Sequence, residues 1–299
     1  MATLLDFRRR IRSVKNTQQI TRAMKFVAAA RLRRAQEAAL AARPYAVELA
    51  RLLRSIMSRI EDPEHALLAK RPEQNVLVIV LSGERGLAGA FNSNILRKAA
   101  EFMRKQTGKK ITVIPVGKKG RDSLKKAGFQ FAAEHVNVLA KVEFGVARDI
   151  AALVTELYTK EAIDAVYIVF SEFKSVMTAN LVVEKLLPVE EIRGEDTKSS
   201  DVGAREAKTP DETPIDYIYE QPEAQLLGKL LPRYIETQVL RSMLESSAAE
   251  YAARMVAMDS ATKNAGDVIE ALTLHMNKVR QAAITKEIIE IVSGANYGA

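Results

Sequence analysis

Apolar positions along the 299 residues follow three regimes. In the first sixty residues Phe7, Ile11, Val14, Met24, Ala28, Leu32, Ala35, Ala39, Ala42, Leu49, Leu53, Ile56 and Ile60 recur at helical spacings, which predicts a long amphipathic helix. In the last eighty, Met255, Met258, Thr262, Ala265, Ile269, Leu272, Met276, Val279 and Ala283 alternate steps of three and four. That heptad seam keeps one stripe facing a partner helix over many turns. After Ala283 the stripe moves by one position to Ile284, Ile288 and Ile291.

The middle of the chain has short apolar runs instead. NVLVIVLS at 75–82 predicts a buried strand, GERGLAGAFN a loop, and NSNILRKAAEFMRKQTG a helix closed by Gly108. KITVIPVG at 110–117 and KKGRDSLKKAG repeat the order, followed by a helix in EFGVARDIAALVTELYTKE, a strand in AIDAVYIVFSEF and an extended piece ending at Pro188. Strands alternating with helices imply a small Rossmann-like α/β sheet.

Breakers divide the chain at the same places. The first glycine is Gly83, the only proline before Pro63 is Pro44, and none follows Pro232. Helix interiors disfavour both residues, so the plan is helix, globule, helix, with a kink or restart expected at Pro44. The expected segments are 1–60, an N-terminal coiled-coil helix; 73–193, the α/β domain; 194–221, a polar loop and linker; and 222–299, a C-terminal coiled-coil helix. A helix from Pro232 to about Gly294 is roughly 60 residues, or about 90 Å. It needs a partner beyond the globule, and the N-terminal helix can pair with it antiparallel. That N-terminal seam is thin, because Ala28, Ala35 and Ala39 bury little area. Gln18, Gln19 and Thr21 also interrupt it with groups that must find hydrogen bonds.

Charge sharpens this picture. Residues 1–60 hold 14 Lys+Arg and 3 Asp+Glu, residues 61–221 hold 23 and 25, and residues 222–299 hold 8 and 9. The balances are +11, −2 and −1, so the excess positive charge of the chain, net +8, is confined to the first segment, as a solvated helix face or an electrostatic contact surface. There are 0 Cys, which excludes disulfides, thiolate nucleophiles and cysteine metal sites and suits a reducing compartment. No apolar run approaches the roughly 18–20 residues of a membrane span, and MATLLDFRRR lacks the order of a secretory signal. The expectation is a soluble chain in the cytoplasm.

Candidate chemistry is sparse. Gly83, Gly86 and Gly89 form GxxGxxG rather than GxGxxG, and no P-loop Lys-Ser/Thr follows, so bound nucleotide is not expected. His65, His135 and His275 lack ligand spacing, and no nucleophile with its base stands out. No metal, cofactor or catalytic residue is expected. Residues 194–214 are polar and without period, which predicts an exposed loop.

Three strings carry a resemblance: NTQQITRAMKFVAAARLRRAQ at 16–36, SGERGLAGAFNSNI at 82–95, and SAAEYAARMVAMDSATKNAGDVIEALTLHMNKVRQAAITKEIIEIVSGA at 247–295. They resemble the gamma subunit of the rotary, proton-transporting F-type ATP synthase of bacteria. The resemblance implies an antiparallel coiled-coil shaft carrying a small α/β domain. It implies a non-catalytic central-stalk rotor turned by proton flow, whose rotation drives ATP synthesis or hydrolysis at the beta-subunit sites. The implied partners are the alpha and beta subunits of the catalytic hexamer, the epsilon subunit and the membrane c-ring, with no nucleic acid, no directly bound nucleotide and no transmembrane segment. The implied location is peripheral, on the cytoplasmic face of the inner membrane.

By motif position, Met24 and Lys25 in TRAMK, and Arg280, Gln281 and Thr285 in VRQAAIT, fall where the family contacts the beta subunits. Arg280 is the foremost candidate for a catch, having the planar fork that suits carboxylates. Seam packing for Met24 and a solvated face for Arg280 are the alternatives. Ala88 stands where the family often has Cys, and the absence of Cys removes the thiol switch of chloroplast members. Composition alone also admits a basic coiled-coil nucleic-acid binder, whose affinity would fall steeply with salt, or a cofactor enzyme, which nucleotide would stabilise.

Overall fold

The computed structural model describes residues 3–58, 65–189 and 223–297. The elements are α1 (Leu4–Met57), β1 (Asn75–Leu81), α2 (Phe91–Lys105), β2 (Lys110–Val116), α3 (Lys118–Lys126), β3 (Gln130–Phe131), α4 (Phe144–Thr159), β4 (Ala165–Phe173), β5 (Ala179–Leu187) and α5 (Glu223–Tyr297). The breaker-poor ends are thus long helices and the glycine-bearing middle is a sheet. Ile60 and the 194–214 segment lie outside the described residues.

The first helix starts on a capping box. The Thr3 hydroxyl accepts the Asp6 N–H at 3.3 Å and the Asp6 carboxylate accepts the Thr3 N–H at 3.0 Å, which satisfies donors that a helix start leaves open. Two prolines lie inside the long helices. No restart occurs at Pro44, which lies inside α1, and α5 begins nine residues before Pro232 and passes through it. Each proline removes the N–H that would meet the carbonyl four residues back. Those carbonyls belong to Leu40 and Gly228, both exposed, so solvent can take over the bond.

Two compact units result, Met1–Ala29 with Arg254–Ala299, and Ala30–Ala253. The second holds the sheet, in strand order β3-β2-β1-β4-β5. β1 runs parallel to β2, from Asn75 against Lys110 to Leu81 against Val116, and parallel to β4. β5 is antiparallel to β4, with Phe173 opposite Ala179. Alternation along β1 makes two cores. Leu77, Ile79 and Leu81 face α4, Leu53 and Ile56 of α1, and Leu231, Ile235 and Val239 of α5. Val76, Val78 and Val80 face Phe91, Ile95, Ala99 and Met103 of α2. Near-continuous burial on both faces explains why the strand sequence is unbroken Val, Leu and Ile.

The smaller unit is an antiparallel helix pair. Phe7 meets His275 with the rings tilted and their centroids 5.0 Å apart, Gln18 reaches Thr262, and Lys25 reaches Asp259, so residue numbers on the two helices run oppositely.

Candidate partner-contact surfaces

The stripe-breaking polar residues of α1 are where the two helices of the smaller unit meet most specifically. The Gln18 amide donates to the Thr262 carbonyl at 3.3 Å, and the Thr262 hydroxyl donates to the Thr21 hydroxyl at 2.8 Å. Thr21 in turn donates to the Gln18 carbonyl at 3.0 Å. A Cβ on Gly266 would lie 3.3 Å from the Gln18 amide nitrogen, so the small residue admits the glutamine. Gln18 and Thr21 thus both find partners at Thr262, whereas Gln19 is exposed to solvent.

Met24 and Lys25 sit one turn further on. Met24 is half-buried. The Lys25 ammonium pairs with Asp259 at 2.5 Å, and Lys263 approaches the other carboxylate oxygen at 3.2 Å. Hydrogen bonds from Lys25 and then Lys263 hold the Asp259 carboxyl below its ordinary range. Lys25 therefore has a partner within its own chain. The spacing rules bear on neighbours along a helix and carry no signal for a pair 234 residues apart, so Asp259 escapes a reading of the sequence.

Arg280, Gln281 and Thr285 form a separate group. From Asp259 to Arg280 is 21 positions of one helix, about 30 Å at ~1.5 Å per residue. Arg280 and Gln281 are exposed, and among the described residues no hydrogen bond or ion pair holds the Arg280 guanidinium. The Thr285 hydroxyl donates to the Gln281 carbonyl at 2.9 Å, a back-bond within the helix. The register from Phe7–His275 places the start of α1, Leu4, near position 278 of α5. Beyond it α5 has no α1 residue opposite, and Ile284, Ile288, Ile289 and Ile291 are 48–72% exposed. Arg280 thus stands where a paired helix becomes a single one edged with isoleucine.

The basic residues Arg8, Arg9, Arg10, Arg12, Lys15 and Arg22 are all exposed, and none forms an ion pair among the described residues. The histidines are engaged individually: His275 on Phe7, His65 accepting the Leu67 N–H at 3.1 Å, and His135 bonded through its backbone to Pro115 and Gly117. No group of three metal-ligating side chains occurs among the described residues. Among them, too, no helix is long and apolar enough to cross a membrane.

A family model described as ATP synthase matches residues 3–296. The ATP synthase gamma chain of Solibacter usitatus is 47% identical over 300 residues, covering 99% of each chain. That of Pelotomaculum thermopropionicum is 45% identical over 297 residues, again covering 99% of each. Among solved structures, a chain of the Euglena gracilis mitochondrial ATP synthase, from its OSCP/F1/c-ring part in rotational state 3, is similar with TM-score 0.65 at 20% identity, covering 98% of this chain and 93% of that one. The rotor of the same complex gives 0.60 at 21%, covering 94% and 98%; at such identity these two likenesses speak for the fold. Relatives alike at this level over their whole length place the protein: the chain belongs to the family of ATP synthase gamma chains.

Proposed function

We propose that this gamma chain, a non-catalytic subunit of the ATP synthase complex, serves as its central-stalk rotor and reports rotation to the beta subunits through two stations. The observation that carries the reading is the tip of α5, where the side chains of Arg280 and Gln281, without a partner among the described residues, adjoin exposed isoleucines. An isolated helix with such an edge needs a surrounding sleeve, and a single helix inside a threefold ring meets three identical surfaces in three different ways. Arg280 then offers its donor fork to a beta-subunit carboxylate at one angle of rotation and withdraws it at the next. Gln281 adds a neutral donor and acceptor, and Thr285 lines the same side of the helix.

Met24 and Lys25 form the second station, about 30 Å back along the pair. Asp259 pairs with Lys25, so this station presents Met24 and a partly neutralised cation. The proposed organisation keeps 1–60 and 222–299 as the coiled-coil segments, 73–193 as the sheet domain and 194–221 as the linker. The proposed neighbours are the alpha and beta subunits around the helices, with epsilon and the c-ring at the sheet domain. The exposed arginines of α1 face acidic loops of the hexamer. The chain lies on the cytoplasmic face of the bacterial inner membrane, held there by its partners.

Reconstitution with alpha and beta subunits from the same source tests the reading. One chain joins each hexamer, and ATP hydrolysis depends on it. The Arg280→Ala, Gln281→Ala variant assembles but turns over roughly tenfold more slowly, the size expected from one charge-assisted hydrogen bond worth about 1.5 kcal/mol. Full turnover in an assembled double variant would remove the catch from these residues.

A further inference from the structure

Parallel sheets of this winding hold ligands where the connections diverge, at the carboxyl ends of the central strands. Here β2 and β4 flank β1 on opposite sides, so the loop after β1 stands at that crevice. The groups that would receive a ligand are present and already taken. The Glu84 carboxylate accepts the Lys118 N–H at the start of α3 at 3.0 Å, and its other oxygen accepts the Val138 N–H at 3.1 Å. The Ser82 hydroxyl accepts the Gly120 N–H at 2.8 Å. A phosphate arriving at this helix start would meet a carboxylate of its own sign.

The rest of the crevice is filled by one turn of α5. Ser247 donates to the Leu139 carbonyl at 3.0 Å and Tyr251 to the Ala140 carbonyl at 3.2 Å, both on the loop that leads into α4. Between them Glu250, 3% exposed, brings a carboxylate oxygen to 2.9 Å from where a Cβ on Gly83 would lie. Asn92 accepts the Gly83 N–H at 2.8 Å and donates to the Arg85 carbonyl at 3.3 Å, and its Oδ1 would lie 3.0 Å from the same Cβ position, so the glycine leaves room for both side chains. The Arg31 guanidinium lies 5.8 Å from the centre of the Tyr251 ring.

We infer that the ligand crevice of this sheet has become a grip for α5, with Ser247, Glu250 and Tyr251 as positioning residues and the loop from Ser82 to Asn92 as their seat, so that turning of the long helix is delivered to the sheet at this turn. The inference rests on the rotor reading above. A helix in a smooth apolar groove resists rotation about its own axis only through interdigitation. Directional hydrogen bonds to carbonyls of the sheet unit, beside a carboxylate wedged against a residue with no side chain, resist it in both senses. Ser247, Glu250 and Tyr251 stand at steps of three and one, which brings all three onto one face of the helix.

The absence of Cys from the chain makes two introduced thiols its only ones, which allows a test in the assembled complex in membrane vesicles. Gly83→Cys with Glu250→Cys is oxidised mildly, then reduced, and ATP hydrolysis and ATP-driven proton uptake are read in both states. A disulfide that leaves both activities as they are in the reduced state is expected, since the turn and its seat move as one body. Loss of activity on cross-linking would mean that they slide past each other each cycle, and failure of both oxidation and a short bismaleimide to join the two thiols would mean that they are not neighbours; either overturns the grip.

In parallel, Ser247→Ala with Tyr251→Phe removes both donors at little change in volume. Hydrolysis is expected to persist while proton uptake per ATP falls severalfold, whereas an unchanged ratio overturns the inference. A merely structural role lowers the amount of complex and leaves that ratio alone. Should this pair not assemble, Tyr251→Phe alone is read by the same ratio. Failure of the unsubstituted complex to pump would count against the rotor reading instead.

Discussion

Six consecutive residues of β1, Val76 to Leu81, are fully enclosed, whereas in the helical unit the buried apolar side chains among the described residues are Phe7, Ala28, Met258 and Ala265. Burying a large aliphatic side chain contributes about 1.5–3 kcal/mol, so the sheet unit rests on its core and the helical unit does not. What the helix pair has in its place is a short polar set, Gln18, Thr21 and Lys25 against Thr262 and Asp259. Burial is non-directional and tolerates sliding; hydrogen bonds fix register. A rotor shaft needs defined register and slenderness more than adhesion, and the sheet that it carries needs rigidity. The two units divide those demands between them.

The largest expected effect comes from attacking the rigid side of this contrast at its tightest backbone approach. Gly117, between β2 and α3, has φ +103°, and a Cβ there would lie 1.9 Å from the Ser82 carbonyl oxygen. That atom is backbone and cannot move aside cheaply. Gly117→Ala should therefore cost the sheet unit at least about 3 kcal/mol by urea denaturation, combining strain with displacement of β1 from β2. Gly108→Ala and Gly128→Ala are the controls, with φ +84° and +80° but nothing within 4 Å. Each should cost only about 1–2 kcal/mol. Equal losses at all three sites would mean that the close approach of β1 to β2 contributes little.

The next effect separates charge from packing within the same unit. Glu73, just before β1, accepts from Lys109 at 2.8 Å and from Tyr167 at 2.9 Å, and pairs with Lys185 at 3.0 Å. Burial alone would raise its carboxyl, but the bonds from Lys109, Lys185 and Tyr167 outweigh it and bring it from 4.5 down to about 2. Because the folded value lies below the unfolded one, the stabilisation is complete above pH 4.5 and is lost as pH falls towards 2. Glu73→Gln should remove about 1–3 kcal/mol at neutral pH and flatten the acid limb of the stability profile between those values. An unaltered acid limb in the variant would assign that limb to other carboxylates.

Which features are readable from sequence follows from the same division. Long-period patterns need no partner to be seen, and the helical ends and the strands of the middle are legible from Val, Leu and Ile runs and from where Gly and Pro first appear. Gln130–Phe131 forms β3 with two residues, too short for any period to register. Pro44 and Pro232 signal breaks, yet α1 and α5 run through them, with exposed residues, Leu40 and Gly228, four positions back. Thr21 and Thr262 carry half a message each: the first shows as a polar gap in its stripe and the second as a polar member of the heptad seam, and only the fold makes them one bond. Glu250 has a faint signal, an acid among small residues in SSAAEYAA, whereas Glu84 in its loop has none. Arg280 and Gln281 come from family motif, because an exposed arginine on a helix is by pattern alone a solvated one.

The smallest expected effect probes the helical side. Thr21→Val and Thr262→Val each remove one hydroxyl of the 2.8 Å pair with almost no change in volume. Each should cost about 0.5–1.5 kcal/mol, and the double variant less than the sum of the two. Native-state hydrogen exchange at amides of Met1–Ala29 and Arg254–Ala299 is the readout, with sheet amides as the internal reference. Each threonine also lies within bonding distance of a carbonyl of its own helix, Thr21 of Gln18 at 3.0 Å and Thr262 of Met258 at 2.7 Å, so the two single variants should be similar. Lys25→Met tests the neighbouring ion pair, which is partly exposed; its effect should be the smaller one and vanish in high salt. Since Asp259 is held below its ordinary 3.8, that contribution is present above pH 3.8 and lost on acidification below it. Protection that depends on the threonines but not on salt would place the register of the pair in its neutral bonds; the reverse would place it in charge, and the basic segment would then govern the pair as well as face its surroundings.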